Sequence, residues 1–371
     1  MTLVGAWLVQ LIIGGQLAMG NISVYFVSYY RLILGYTSVD PNTFIIIGSL
    51  TLFFATPVFP LGNSLVDFFG NRSNPVILIG GTVAIALVLS CAYLHYSPLF
   101  FAIVYAVGMG IFKGLLQSAL LRAGWSHLPK RKGLVSGCIV SSYGFGGFFF
   151  GMYSTILANP DDIRYEVDPS DGNKYLPPEV GERVPFMLEV FCLTWAIQIA
   201  VGICLISNYR KKPLGTQGIE TARESTGEIV AVTEEEAQER ASKEAKLLDI
   251  LKSRKFLHIY SLACCHLFYG YFFTGAYKQY GKDYINDDRF LSIVGSTASL
   301  FNGFFKFLLA TLLDYYPFRK VYGCIICLEI VLIYAVQFSV TNKWAFMLAS
   351  QMTFMCDGSM MSMLPALTID Q

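Results

Sequence analysis

The sequence predicts an all-α polytopic membrane protein, and three observations carry that prediction. Of 371 residues, 54% are hydrophobic and only 14% charged, with a mean hydropathy of +0.51. A soluble domain of this length carries roughly 25% charged residues. The apolar residues gather into stretches of about 20, the length of a helix that crosses a bilayer. Long polar stretches are confined to two places, residues 159–184 and 208–254.

Ten spans follow from the hydropathy pattern: 3–30, 43–61, 75–95, 98–121, 134–157, 185–207, 255–277, 290–313, 320–340 and 344–366. The first starts at about Leu3 without a basic leader and is longer than a signal-peptide core, so it reads as a membrane helix. Its end carries Tyr25, Tyr29 and Tyr30. These, with Tyr143, could line a pathway, but an interfacial aromatic belt is the plainer expectation. The fourth contains Lys113, in "GMGIFKGLLQS". The fifth is rich in glycine at 137, 144, 146, 147 and 151, which permits close helix crossing. Its "GFGGFFFG" follows no strand and is no phosphate loop. The sixth holds Glu189, the seventh His266, the eighth Lys306, the ninth Glu329 and the tenth Asp357.

Between the fifth and sixth spans, residues 159–184 carry seven acids and three bases. Residues 208–254 carry nine acids and nine bases, and "TEEEAQERASKEAKLLDILKS" predicts a surface helix with Thr233 as N-cap. Positive charge marks the inner side of a membrane protein. Arg122, Lys130, Arg131 and Lys132, then the "YRKK" after span six, then Arg319 and Lys320, all fall on one side if the N-terminus is inside. The acid-rich 159–184 segment falls on the other.

An internal repeat supports the same count. Span two ends in "SLVDFFGNR", with Asp67 and Arg72, and span eight ends in "TLLDYYPFR", with Asp314 and Arg319. Both copies follow the second span of a block. The predicted organisation is therefore a six-helix half (1–207), a central loop (208–254), and a second half (255–371) that ends after its fourth helix. Parallel repeats of this kind occur in one large transporter class.

Several stretches give that class a name. "WSHLPKRKGLVSGCIVSSYGFGG" (125–147), "YKQYGKDYINDDRFLSIVGSTASLFNGFFKFLLATLLD" (277–314) and "SMMSMLPALTID" (359–370) resemble the major facilitator superfamily, and within it the oxalate:formate antiporter and monocarboxylate-carrier group. There are departures: Asn63, with Gly62 before it, stands where the group has a glycine, and Lys306 and Ala310 stand where it has arginine and glycine. The resemblance implies a secondary transporter of small organic anions, working by alternating access. It also implies that Lys306 contacts the substrate anion, and that Asp67, Arg72, Asp314 and Arg319 latch the two halves. The group's second cation lies on an eleventh helix that this sequence does not contain, so the resemblance favours a monocarboxylate, with a proton as a possible co-substrate.

Physical reasoning reaches Lys306 independently. It lies eight residues from Asp314, about 12 Å along a helix, near mid-depth in a core about 30 Å thick. A charge there costs about 3 kcal/mol on insertion scales, and it is kept where it meets a cavity or a partner. A structural ion pair with Asp357 or Glu329 is the alternative. Lys113, Glu189, His266, Glu329 and Asp357 are the other intramembrane candidates for cavity or coupling roles. The nine cysteines read as small apolar residues, Cys324 and Cys327 included, because no second C-x-x-C completes a zinc site. With no metal cluster, nucleophile–base motif or phosphate loop, the sequence predicts no enzyme, cofactor or metal. A net charge of +1 without a basic face argues against nucleic acid. The expected partners are a small carboxylate, the lipid bilayer of a plasma or organellar membrane and, on a second reading, other membrane subunits. In that reading the chain is a transport-inactive scaffold of a larger complex.

Overall fold

The computed structural model describes residues 1–94, 96–128, 132–207, 253–312 and 316–369. Asp314 and the surface helix expected in 208–254 lie outside the described residues. The chain divides into two compact units, Met1–Asn208 together with His266–Gln371, and Tyr209–Cys265.

The expected ten spans are present as long helices. The first is a continuous run: α1 (Thr2–Gly14), a tight 3-10 turn (Gly15–Ala18), α2 (Met19–Ser28) and a wide turn (Tyr29–Ile33). There follow α3 (Ile46–Phe68), α4 (Asn74–Tyr93), α5 (Pro98–His127), α6 (Lys132–Ala158), the short α7 (Pro178–Gly181) and α8 (Val184–Leu205). The second half contributes α9 (Arg254–Lys282), α10 (Asp288–Leu312), α11 (Phe318–Ser339) and α12 (Lys343–Ile369). Among the described residues, 8 helices are long and apolar enough to cross a membrane. The protein is an integral, multi-pass membrane protein with a major-facilitator-like fold.

Two boundaries differ from expectation. The second span runs to Phe68, past Pro57 and Pro60, where hydropathy alone stops at 61. A membrane helix tolerates proline because its neighbours satisfy the freed backbone groups. The seventh runs to Lys282 because its polar end is buried by protein, Lys278 at 0% and Lys282 at 4% exposure.

Large apolar side chains such as Phe53, Leu193, Phe268, Val331 and Phe338 are exposed around the outside, as the lipid-facing surface of a bundle requires. Cys324 and Cys327 share that surface as free thiols rather than being buried. The inside is packed mainly by aromatic rings. Phe26, Tyr30, Phe44 and Phe101 meet at centroid distances of 4.9–5.9 Å, mostly edge to face. Tyr25, Tyr29 and Tyr30 are buried at 5% exposure or less, so they form no interfacial belt. α6 and α10 cross closely. A Cβ on Gly144 would run into the backbone of Gly303, so only glycine allows this approach.

The 159–184 segment forms a hairpin. β1 (Glu166–Val167) pairs antiparallel with β2 (Lys174–Tyr175), and Gly172, at φ +71°, makes the turn. Arg31 anchors it, with Nη2 at 2.9 Å from Asp168 and 2.8 Å from Asp171. The Tyr175 hydroxyl, donating at 2.6 Å, is the main cause that holds the Asp171 carboxyl down at about 2. Hydrogen bonds from Ser170, then from Arg31, hold Asp168 below the usual carboxylate range.

Candidate functional site

Midway along the helices, six side chains converge, three from each half. Gln16 comes from the tight turn of the first span, Lys113 from α5 and Tyr143 from α6. Tyr271 comes from α9, Lys306 from α10 and Asp357 from α12. Lys113 and Lys306 are 7% and 4% exposed.

Tyr143 organises the group. The Lys306 ammonium lies 4.3 Å from its ring centroid and the Lys113 ammonium 5.3 Å from it. Lys113 is also 6.0 Å from the ring of Tyr271, whose hydroxyl is hydrogen-bonded to that of Tyr143. An aromatic face attracts a cation with about 0.5–2 kcal/mol, more when water is absent. The Gln16 carbonyl accepts from both Lys113 (2.7 Å) and Tyr143 (3.0 Å), while its amide donates to the Gly48 carbonyl at 2.9 Å. That last bond fixes which way the Gln16 amide points.

Asp357 supplies the negative charge. It is 6% exposed and electrostatically coupled to Lys306 and to Lys113. Neither lysine forms an ion pair within 4.0 Å among the described residues. Asp357 Oδ2 accepts from Asn302 at 3.4 Å, and Oδ1 has no hydrogen-bond donor among the described residues. Its carboxylate lies against Gly270, where any side chain would displace it.

A second cluster lies wholly in the second half. His266 Nδ1 is 3.1 Å from Glu329, and its Nε2 is 3.1 Å from the Cys356 carbonyl. Both ring nitrogens thus face oxygen acceptors. Nδ1 lies at ion-pair distance from Glu329 without a hydrogen bond, and the pair carries no net charge when the ring is protonated. Both residues couple to the neighbouring Asp357.

The remaining predicted residues lie elsewhere. Glu189 is half-buried near one end of α8 and hydrogen-bonds the exposed Tyr93, away from the central group. Asp67 pairs with Arg122 at 2.6 Å. Both belong to the first half, because α3 packs along α5, so this ion pair is not an inter-half latch. Arg72 and Arg319 are exposed.

One site escaped the sequence reading. Lys278 and Asp288, both fully buried, pair at 2.8 Å toward the hairpin side of the bundle. Asp288 also accepts from Tyr165 (2.8 Å), Asn159 (3.0 Å) and Tyr25 (3.1 Å), all in the first half. Lys278 donates to Ser292 at 2.8 Å. Tyr277 hydrogen-bonds Asn21, and the Lys174 and Lys282 ammoniums each donate to the other's backbone carbonyl. The halves are stitched together on this side by polar contacts. Asp288 opens α10, where the helix dipole favours an acid.

Among the described residues, no group of three His, Cys, Asp or Glu side chains could hold a metal. The arrangement brings two buried lysines and one buried aspartate together inside the helical bundle.

That arrangement defines a class, the all-α polytopic membrane proteins, and the comparisons agree on the fold. A D-xylose–proton symporter superposes with a TM-score of 0.66 at 12% identity, covering 99% of this chain and 81% of that one. The partially occluded, inward-open xylose transporter XylE from E. coli gives 0.63 at 11%, covering 100% and 87%. A POT family transporter in complex with 5-aminolevulinic acid gives 0.56 at 11%, covering 99% and 90%. In sequence, the chain is 27% identical over 192 residues to apicoplast pyruvate carrier 1 of Toxoplasma gondii, 48% of this chain and 32% of that protein. The chain thus aligns with about a third of that curated relative's length. No family model matches the chain. These likenesses support the fold but not the finer oxalate:formate grouping.

Proposed function

We propose that this protein is a secondary transporter of small monocarboxylates, working by alternating access. The observation that carries the reading is the pair of buried lysines, one from α5 and one from α10, that both lie over the ring of Tyr143 with a single nearby carboxylate. Each ammonium at mid-depth costs about 3 kcal/mol or more to bury. Asp357 offsets one of them, and the His266–Glu329 pair is neutral in itself. One positive charge is left, and a small carboxylate is the partner that compensates it. Because Lys113 and Lys306 belong to opposite halves, a bound anion draws the halves together, as the exchange of access between two sides requires. The pyruvate carrier relative points to the same substrate class.

Under this reading Lys306 and Lys113 bind the anion, and Tyr143 and Gln16 hold the two ammoniums in place. His266 and Glu329 are the groups able to take a co-transported proton. Asp67 steadies α3 against α5 through Arg122, and the closing contacts between halves are those around Asp288.

Uptake of labelled pyruvate, lactate, formate and oxalate into proteoliposomes tests the proposal. Pyruvate or lactate accumulates with the wild-type protein and falls at least about tenfold with Lys306→Gln, the loss expected for one charge-assisted contact of about 1.5–3 kcal/mol. Equal uptake by the two proteins removes Lys306 from the site. No uptake of any of the four favours the scaffold reading.

A further inference from the structure

We propose that Asp357 sets the charge of the anion the site accepts, acting as a built-in counter-ion that leaves room for one negative charge and repels a second. The inference rests on the transport reading above and deepens it.

The geometry carries it. Two ammoniums lie within 5.3 Å of the centroid of the Tyr143 ring, one from α5 and one from α10. Asp357 is the carboxylate coupled to both. Its side chain is buried, it is wedged against the Gly270 backbone, and its only hydrogen bond among the described residues is a long one, from Asn302 to Oδ2. Oδ1 has no donor. A buried carboxylate oxygen without a donor is costly unless a cation compensates it. The lysines, together with His266, are the cations near enough to compensate Asp357, and a charged Asp357 in turn uses up one of the two lysine charges.

The other groups around it do not change the count. Gln16, Tyr143, Tyr271 and Asn302 are neutral, and His266 faces Glu329 at 3.1 Å. With Asp357 charged, the site carries one net positive charge and matches a monoanion. A dianion of the same size would place one carboxylate beside the buried Asp357, where like charges cost several kcal/mol. Selectivity thus arises from a repulsive element, a common route to discrimination between similar ligands.

The test uses the full-length protein in proteoliposomes at neutral pH, with labelled pyruvate as the reporter. Oxamate and oxalate compete; they are nearly the same size but carry one and two charges. Wild type is inhibited by oxamate at concentrations at least about tenfold lower than oxalate requires. Asp357→Asn leaves both lysines uncompensated, so oxalate inhibition improves by at least tenfold and the preference disappears or inverts. Lys113→Gln alone cancels the net charge and lowers pyruvate uptake at least tenfold. Lys113→Gln combined with Asp357→Asn restores the net charge, together with pyruvate uptake and the preference for oxamate.

Wild type that discriminates poorly between oxamate and oxalate overturns the inference without any variant. So does an Asp357→Asn protein, recovered at the wild-type level, that keeps the wild-type preference. Wild type that takes up no carboxylate overturns the transport reading and this inference with it.

Discussion

Substituting Asp288 by asparagine should open the hairpin side of the bundle. Asp288 and Lys278 pair at 2.8 Å with both side chains at 0% exposure. Removing one partner of such a pair costs about 3–5 kcal/mol, because the other charge is left buried and uncompensated. The cost falls on the closed arrangement in particular. Three donors to Asp288 (Tyr25, Asn159 and Tyr165) belong to the first half, while Lys278 belongs to the second. When the halves part on this side, water reaches Lys278 and the penalty disappears. At 1.4 kcal/mol per tenfold, a cost of about 3 kcal/mol raises the open population by roughly 100-fold. The assay is the labelling rate of Ser296→Cys by a membrane-impermeant maleimide, in a background whose native thiols are replaced. Ser296 is fully buried one helical turn below Ser292, so its labelling reports opening. Asp288→Asn should accelerate labelling at least tenfold. Lys278→Met added to Asp288→Asn removes the orphaned cation and should return the rate most of the way. An unchanged rate in the single variant, or a double variant labelled as fast as the single, refutes the reasoning.

Three further outcomes follow from other contacts. Tyr143→Leu removes the ring that faces both ammoniums and should weaken pyruvate binding about 3- to 30-fold, given about 0.5–2 kcal/mol per cation–π contact, while Tyr143→Phe keeps most of the affinity; titration calorimetry separates them. Gly144→Val should destabilise the protein by about 1–3 kcal/mol or more through the clash with Gly303, read as a lower melting temperature in detergent. The hairpin gives a pH prediction. Asp171 is held at about 2, below its unfolded value of about 3.9, so its contribution is complete above about pH 4 and is lost as pH falls through about 2. A carboxyl NMR titration should find the Asp171 midpoint near 2 and see it rise in Tyr175→Phe; an unmoved midpoint would exclude the hydroxyl as the main cause.

Much of the fold was legible because lipid imposes one rule on every span. Ten apolar stretches gave ten helices, and only the ends moved, where prolines (Pro57 and Pro60) or buried polar tails (Lys278 and Lys282) break the link between hydropathy and helix length. The central charges were legible for the same reason: Lys113, His266, Lys306, Glu329 and Asp357 stand out against apolar neighbours. Their partnerships were not. Nothing in one sequence joins His266 to Glu329, or sets Lys113 and Lys306 on one ring, since those contacts depend on which helix faces which. The Lys278–Asp288 pair was missed for the opposite reason. In "YKQYGKDYINDD" a lysine and an aspartate look like ordinary interfacial residues, and only the folded-over 159–184 segment buries them. Tyr30 is a core side chain rather than part of a belt because it packs on Phe44 and Phe101, Tyr25 because it meets Thr155 and Asp288, and the packing of α3 on α5 explains why Asp67 meets Arg122.

The central claim is that two lysines from opposite halves hold one small carboxylate. Equilibrium binding of labelled pyruvate to the purified protein in nanodiscs measures this directly, without the complications of flux. The account predicts saturable binding by wild type, a loss of at least about tenfold in affinity for Lys113→Gln and for Lys306→Gln separately, and no change for the distant Arg122→Gln. Binding that survives both lysine substitutions unchanged would contradict it.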